Sequence, residues 1–147
     1  MTHTGACGVC STTWDLAGYM NNPTLEEDSI KCTLRGLKDF DDGIQCYIDA
    51  GLTEECAKMW LYDGYHTTKE CTEICVAEIV ENEGDVPANG PPPECELSSC
   101  LQCDEDESGP IFKEYVGRIR RSSGLLSSIV RPCEGFPQII HVSVMMK

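Results

Sequence analysis

Sulfur dominates the chemistry open to this chain. Eleven cysteines stand at Cys7, Cys10, Cys32, Cys46, Cys56, Cys71, Cys75, Cys95, Cys100, Cys103 and Cys133 of 147 residues. Such density means disulfide cross-links in an oxidising compartment or metal thiolates in a reducing one. The number is odd, so at least one thiol is free, intermolecular or a ligand. Cys7-Gly8-Val9-Cys10 and Cys100-Leu101-Gln102-Cys103 have the spacing of metal-binding knuckles, but 89 residues lie between them and only His3, His66 and His141 supply imidazoles. Structural four-thiolate sites keep shorter gaps. Disulfides are therefore the expectation, with zinc or iron–sulfur as the alternative. Cys7 and Cys10 also precede a helix, whose positive end stabilises a thiolate as thiol–disulfide oxidoreductases require. Those enzymes place the motif after a strand, and only six residues precede Cys7, so structural half-cystines fit better.

Two further constellations could bind. Asp104-Glu105-Asp106-Glu107-Ser108-Gly109-Pro110-Ile111 follows the opening of a calcium loop, with oxygen ligands expected from Asp104, Asp106, Ser108 and the Pro110 carbonyl, and glycine at the sharp turn. The closing bidentate glutamate is missing: Tyr115 occupies its place, with Glu114 one residue early. The plainer reading is an acidic turn capping the next helix. Beyond it, Lys113, Arg118, Arg120, Arg121 and Arg131 form a basic group in an acidic protein. Forked guanidinium hydrogen bonds suit an anion or an acidic partner. Arginines in a helix's last turn also simply complement its dipole. The chain contains no Gly-x-Ser-x-Gly elbow, no His-Glu-x-x-His pair and no phosphate-cradling glycine loop. No catalytic residue is assigned; His66 and His141 read as parts of their local elements.

Charge narrows the partners. Residues 1–109 hold 5 Lys+Arg against 23 Asp+Glu (−18) and residues 110–147 hold 6 against 2 (+4), which gives the total of −14. An acidic body repels phosphate backbones, so no nucleic-acid partner is expected and a protein partner is. No apolar run approaches the ~20 residues of a membrane span. Met1–Cys10 shows no signal-peptide pattern, so an extracytosolic or lumenal location calls for a targeting segment that this sequence does not display.

The elements that must position these residues are mostly helices. Ser11–Asn21 is capped by Ser11 and ended by Pro23, and Glu26–Leu37 is ambiguous. In Asp39–Ala50, Phe40, Ile44, Tyr47 and Ile48 share a face, and Gly51 stops the helix. Thr53 caps a short helix with Cys56, Met59 and Trp60 inside, and Asp63-Gly64 reads as a turn. Thr67-Thr68-Lys69-Glu70 then matches a capping box opening a helix that buries Cys71, Ile74, Cys75 and Ile79. Cys71 and Cys75, four apart, share a face and so point to different partners. The segment 46–75 is expected to be a helical hairpin clamped by two bridges, their pairing open. Trp14, Trp60, Tyr62 and Tyr65 read as core. Gly84–Pro93 is a stiff linker, Pro110–Ser122 a helix with Phe112, Tyr115, Val116 and Ile119 as its stripe, and Gln138–Val144 alternates like a strand.

Two stretches resemble a set of uncharacterised cysteine-rich proteins of algae and other protists. They are Cys7-Gly-Val-Cys10 followed by Asp15-Leu16-Ala17 and Tyr19-Met20, and Gln102-Cys103-Asp-Glu-Asp106 followed by Ser108-Gly109, Phe112-Lys113, Gly117-Arg118, Arg120-Arg121, Ser123-Gly124 and Arg131-Pro132-Cys133. The resemblance implies that the Asp104–Ser108 turn and the arginine group form one unit, and it implies no activity. The resulting expectation is a mainly α, disulfide-clamped small helical bundle with a short extended C-terminal tail. It comprises an acidic helical lobe (1–83), a proline-rich linker (84–93) and a cysteine- and arginine-containing lobe (94–147). Its role is that of a non-enzymatic binding or structural-interaction protein, or a small subunit of an assembly, with Asp104–Arg131 as contact surface. The alternatives are a thiol–disulfide oxidoreductase and a zinc or iron–sulfur protein. No cofactor is expected, with calcium the candidate ion.

Overall fold

The structure, a computed structural model, describes residues 1–84, 89–91, 93–125, 127 and 138–141. Among these it is built from six helices: α1 (Thr13–Asn21), α2 (Leu25–Gly36), α3 (Phe40–Asp49), α4 (Glu54–Glu81), α5 (Ser99–Glu107) and α6 (Gly109–Val116). A single 3-10 turn, Arg121–Ser123, follows. The sequence-level expectation of a mainly α, disulfide-clamped bundle holds.

Local chemistry sets the helix starts. Asp39 caps α3, accepting from the amides of Asp41 (3.0 Å) and Asp42 (3.2 Å). α1 is capped by Thr12, whose Oγ1 accepts from the Asp15 amide at 3.1 Å, one residue later than expected. Thr53 precedes α4 without capping it through its own side chain. Instead Thr53 is held by the buried Asp15 of α1, whose Oδ1 accepts from the Thr53 amide (2.8 Å) and hydroxyl (2.9 Å). The residues read as ambiguous, 26–37, belong to α2.

The largest departure from the sequence reading is α4. Its 28 residues run unbroken through Asp63-Gly64 and Thr67, so there is neither turn nor capping box. Gly64 is there for proximity: a Cβ on it would stand 2.1 Å from Thr33 Oγ1 of α2. Thr67 Oγ1 bonds instead to the Asp63 carbonyl one turn back, at 3.0 Å. The expected hairpin over 46–75 is therefore absent, and none of its cysteines pairs with another. The bridges are Cys10–Cys56, Cys32–Cys46, Cys71–Cys103 and Cys75–Cys100. Cys71 and Cys75 do go to different partners, both on α5. Among the described residues Cys7 (exposed) and Cys95 (buried) are free thiols; Cys133 lies outside them.

The core sits where α1, α2 and α3 meet the first half of α4. Tyr19, Leu25, Tyr47, Leu52 and Leu61 are fully buried there beside the Cys10–Cys56 and Cys32–Cys46 bridges. The two buried tyrosine hydroxyls of this core find partners, as their desolvation demands: Trp60 Nε1 donates to Tyr19 Oη at 3.0 Å, and Tyr47 Oη donates to the Ser29 carbonyl at 3.1 Å. Trp14 and Tyr62, expected in the core, are instead exposed, and Trp60 and Tyr65 are half-buried.

α6 ends at Gly117, five residues earlier than expected at Ser122, because Gly117 takes φ +69°. There it meets the N-terminal segment: Val9 and Cys10 donate to the carbonyls of Tyr115 and Val116 (both 3.0 Å). A Cβ on Gly117 would fall 2.2 Å from the Gly8 nitrogen. The Cys7–Cys10 motif thus serves as a docking strap. In the tail, residues 138–141 form no strand; the rest of the expected strand, 142–144, lies outside the described residues.

Candidate ligand cleft

Continuity of α4 has a consequence on its surface. Trp60, Asp63, Thr67, Thr72, Val76 and Ile79 recur every three to five residues, so they form one stripe along the helix. That stripe lines a cleft of about 440 Å³, together with α2 on one side and α5 and α6 on the other. The size falls within the range of small-molecule sites.

Four aliphatic side chains on its walls are unusually open to solvent. Ile30 and Leu34 of α2 are 66% and 56% exposed, and Val76 and Ile79 of α4 are 52% and 49% exposed. Ile79 was expected in the core, as was Ile74, which is 43% exposed. The face is apolar, as the sequence reading held, but much of it lines a cleft rather than an interior.

The polar groups of the cleft fall into two sets. Asp63 of α4 and Asp104 of α5 face this cleft with Glu105, which is paired with Lys113. Burial, reinforced by the charges of Asp104 and Glu105 and opposed by Lys113, pushes the Asp63 carboxyl up to about 8. Asp104 is likewise raised by burial, although the Thr67 hydroxyl donates to it and opposes the shift. Thr67 Oγ1 also lies 2.9 Å from Ser108 Oγ, which in turn lies 3.1 Å from His66 Nδ1. A hydrogen-bonded chain thus ties α4 to the junction of α5 and α6. In the second set, Glu26 accepts from Ser127 Oγ at 2.9 Å and lies 3.9 Å from Arg120 Nε. Asp63 Oδ1 and Glu26 Oε2 are both buried without a hydrogen-bond partner.

The residues singled out from sequence are dispersed. Asp104 and Asp106 lie on α5, Ser108 sits at the joint and Pro110 opens α6, so the run is helical rather than a calcium loop. Two residues apart on a helix, Asp104 and Asp106 point to different sides; Asp106 accepts from Gln102 at 2.8 Å instead. Among the described residues no three His, Cys, Asp or Glu side chains converge as a metal site. Arg118 is fully buried, donating to the carbonyls of Thr12 (2.7 Å) and Ser11 (3.1 Å) and to Thr2 Oγ1 (2.7 Å). Arg120 is also buried and donates to the carbonyls of Tyr19 and, at 3.0 Å, Asn22. Both guanidinium groups, expected at a partner surface, hold the N-terminal half from within. Lys113 and Arg121 line the cleft, and Arg131 lies outside the described residues.

Asp63, Thr67, Glu26, Ile30 and Leu34 were missed as site residues. The three-to-five spacing from Trp60 to Ile79 carried the signal, hidden by reading Asp63-Gly64 as a break.

No helix among the described residues is long and apolar enough to cross a membrane, and the four bridges are compatible with an oxidising environment. The family model described as "Family of unknown function (DUF8771)" matches residues 40–139, and the chain belongs to that family. The match contains both partners of the two α4–α5 bridges and the cleft walls from α4, α5 and α6. No curated protein and no solved structure matches the chain.

Proposed function

We propose that this member of the DUF8771 family is a non-catalytic, disulfide-clamped binding protein whose cleft between α2, α4 and α5 holds the apolar part of a ligand. One observation carries this reading: Ile30, Leu34, Val76 and Ile79 face solvent on the walls of a 440 Å³ cleft instead of packing in the core. Covering such surface is favourable by roughly 25 cal/mol per Å². The bridges to α5 support the same reading, since a wall fixed covalently loses little freedom on binding. Part of the sequence-derived contact region, Asp104 to Arg121, supplies the opposite wall. The oxidoreductase alternative is less well supported, because Cys10, which would cycle against Cys7, is fully buried and joined to Cys56.

Titration with the neutral apolar fluorophore N-phenyl-1-naphthylamine tests the proposal. Saturable one-to-one binding is expected, with a spectral change from Trp60 that persists in Trp14→Phe. Val76→Asp should weaken it at least tenfold. Absence of saturable binding, or indifference to Val76→Asp, overturns the reading.

A further inference from the structure

Building on the cleft reading, we propose that the ligand is a cationic amphiphile, an aliphatic amine whose ammonium head pairs with the Asp63 carboxyl while its chain lies along Val76 and Ile79. The polar groups of the cleft are unevenly satisfied. Its basic side chains are engaged: Lys113 with Glu105, Arg120 with two carbonyls, and Arg121 is also partnered. Its acceptors are not all engaged, since Asp63 and Glu26 each keep one buried carboxyl oxygen without a hydrogen-bond partner. An unsatisfied buried acceptor is costly, and the ligand that relieves it must bring donors. A primary ammonium brings three and a positive charge. An alcohol brings one and no charge, and a carboxylate brings neither, meets the charge of Glu105 and further opposes ionisation of Asp63.

The pairing also carries a proton balance. Burial and the neighbouring Asp104 and Glu105 keep the Asp63 carboxyl protonated near neutrality, against the opposing charge of Lys113. An ammonium alongside favours the carboxylate. The amine therefore enters with its own proton retained, and the Asp63 proton leaves to solvent.

The experiment compares dodecylamine, dodecanol and dodecanoate, each below its aggregation concentration, by calorimetry at pH 7 in two buffers of different ionisation enthalpy. Dodecylamine should bind at least tenfold tighter than dodecanol, with dodecanoate weakest, and release up to one proton per amine bound. Because the net charge of −14 attracts any cation, the deciding variant is Asp63→Asn, with exposed Asp41→Asn as control. Asp63→Asn should bring the amine down to the level of the alcohol and abolish proton release; Asp41→Asn should do neither. Equal or tighter binding of the alcohol or the carboxylate, or an amine preference that survives Asp63→Asn, overturns this inference and leaves the cleft reading standing. Failure of all three ligands to bind overturns both.

Discussion

The two halves of α4 are held by different means. Its first half is packed among α1, α2 and α3, with Cys56, Ala57 and Leu61 fully buried. Its second half carries α5, a helix with no buried residue, fastened by Cys71–Cys103 and Cys75–Cys100 one turn apart. Where a core exists, bridges reinforce it; where none exists, they replace it. The replacement leaves the aliphatic side chains of α4 uncovered, which is what makes a cleft in a small protein affordable.

That contrast can be broken at the bridges first. Serine at Cys71, Cys75, Cys100 and Cys103 removes loop constraints worth roughly 3–4 kcal/mol each. Hydrogen exchange of 99–107 should then approach the unprotected rate while α1–α3 stay protected. Alanine at Cys32 and Cys46 should lower the unfolding free energy by about 3 kcal/mol and leave every helix in place. Protected α5 amides in the four-serine variant would show that α5 packs without sulfur.

Arg118→Met tests the packed half. It orphans the Thr12 and Ser11 carbonyls, and about 3 kcal/mol should be lost in denaturant titration, with Arg118→Lys recovering part of it. Asp63 gives the cleft a pH signature. Its folded pKa, about 8, exceeds the ~3.9 of an unfolded aspartate, so the native state binds more protons between those values. Stability from this group is therefore full below about pH 4 and is lost as pH rises towards 8. Asp63→Asn should flatten the decline between pH 6.5 and 8.5 by on the order of 2 kcal/mol. Smallest is Gly64→Ala. In an open helix this exchange gains up to ~1 kcal/mol, but the clash with Thr33 should reverse the sign to a loss of about 1–2 kcal/mol, relieved by Thr33→Ala.

Where residues reported on their own helix, the sequence was informative. Asp39, Gly51 and Pro110 mark boundaries close to those observed, and the spacing of Cys71 and Cys75 correctly separates their partners. It misled where a residue serves another element. Gly64 reads as a bend and is a contact with α2; Thr67 reads as a cap and is a donor to Asp104. Arg118 and Arg120 read as the surface of a helix that in fact ends at Gly117. Ile79 reads as core because periodicity reveals an apolar face without revealing whether anything covers it. The cleft was hidden for that reason, and the cysteine pairings because they join residues 14 to 46 apart in sequence.

The strap at the N-terminus has a temporal side. Its partners, from Tyr115 to Ser122, are made more than a hundred residues after it. At roughly 5–20 residues per second on the ribosome, residues 2–9 wait several seconds for those partners, while the adjoining Cys10 already has Cys56 within reach. Cys32 and Cys46 can meet early in that interval, since the loop they close is short. The hydrogen bonds of the strap to the Tyr115–Ser122 stretch thus close only after the partners of both bridges within residues 10–56 have been made.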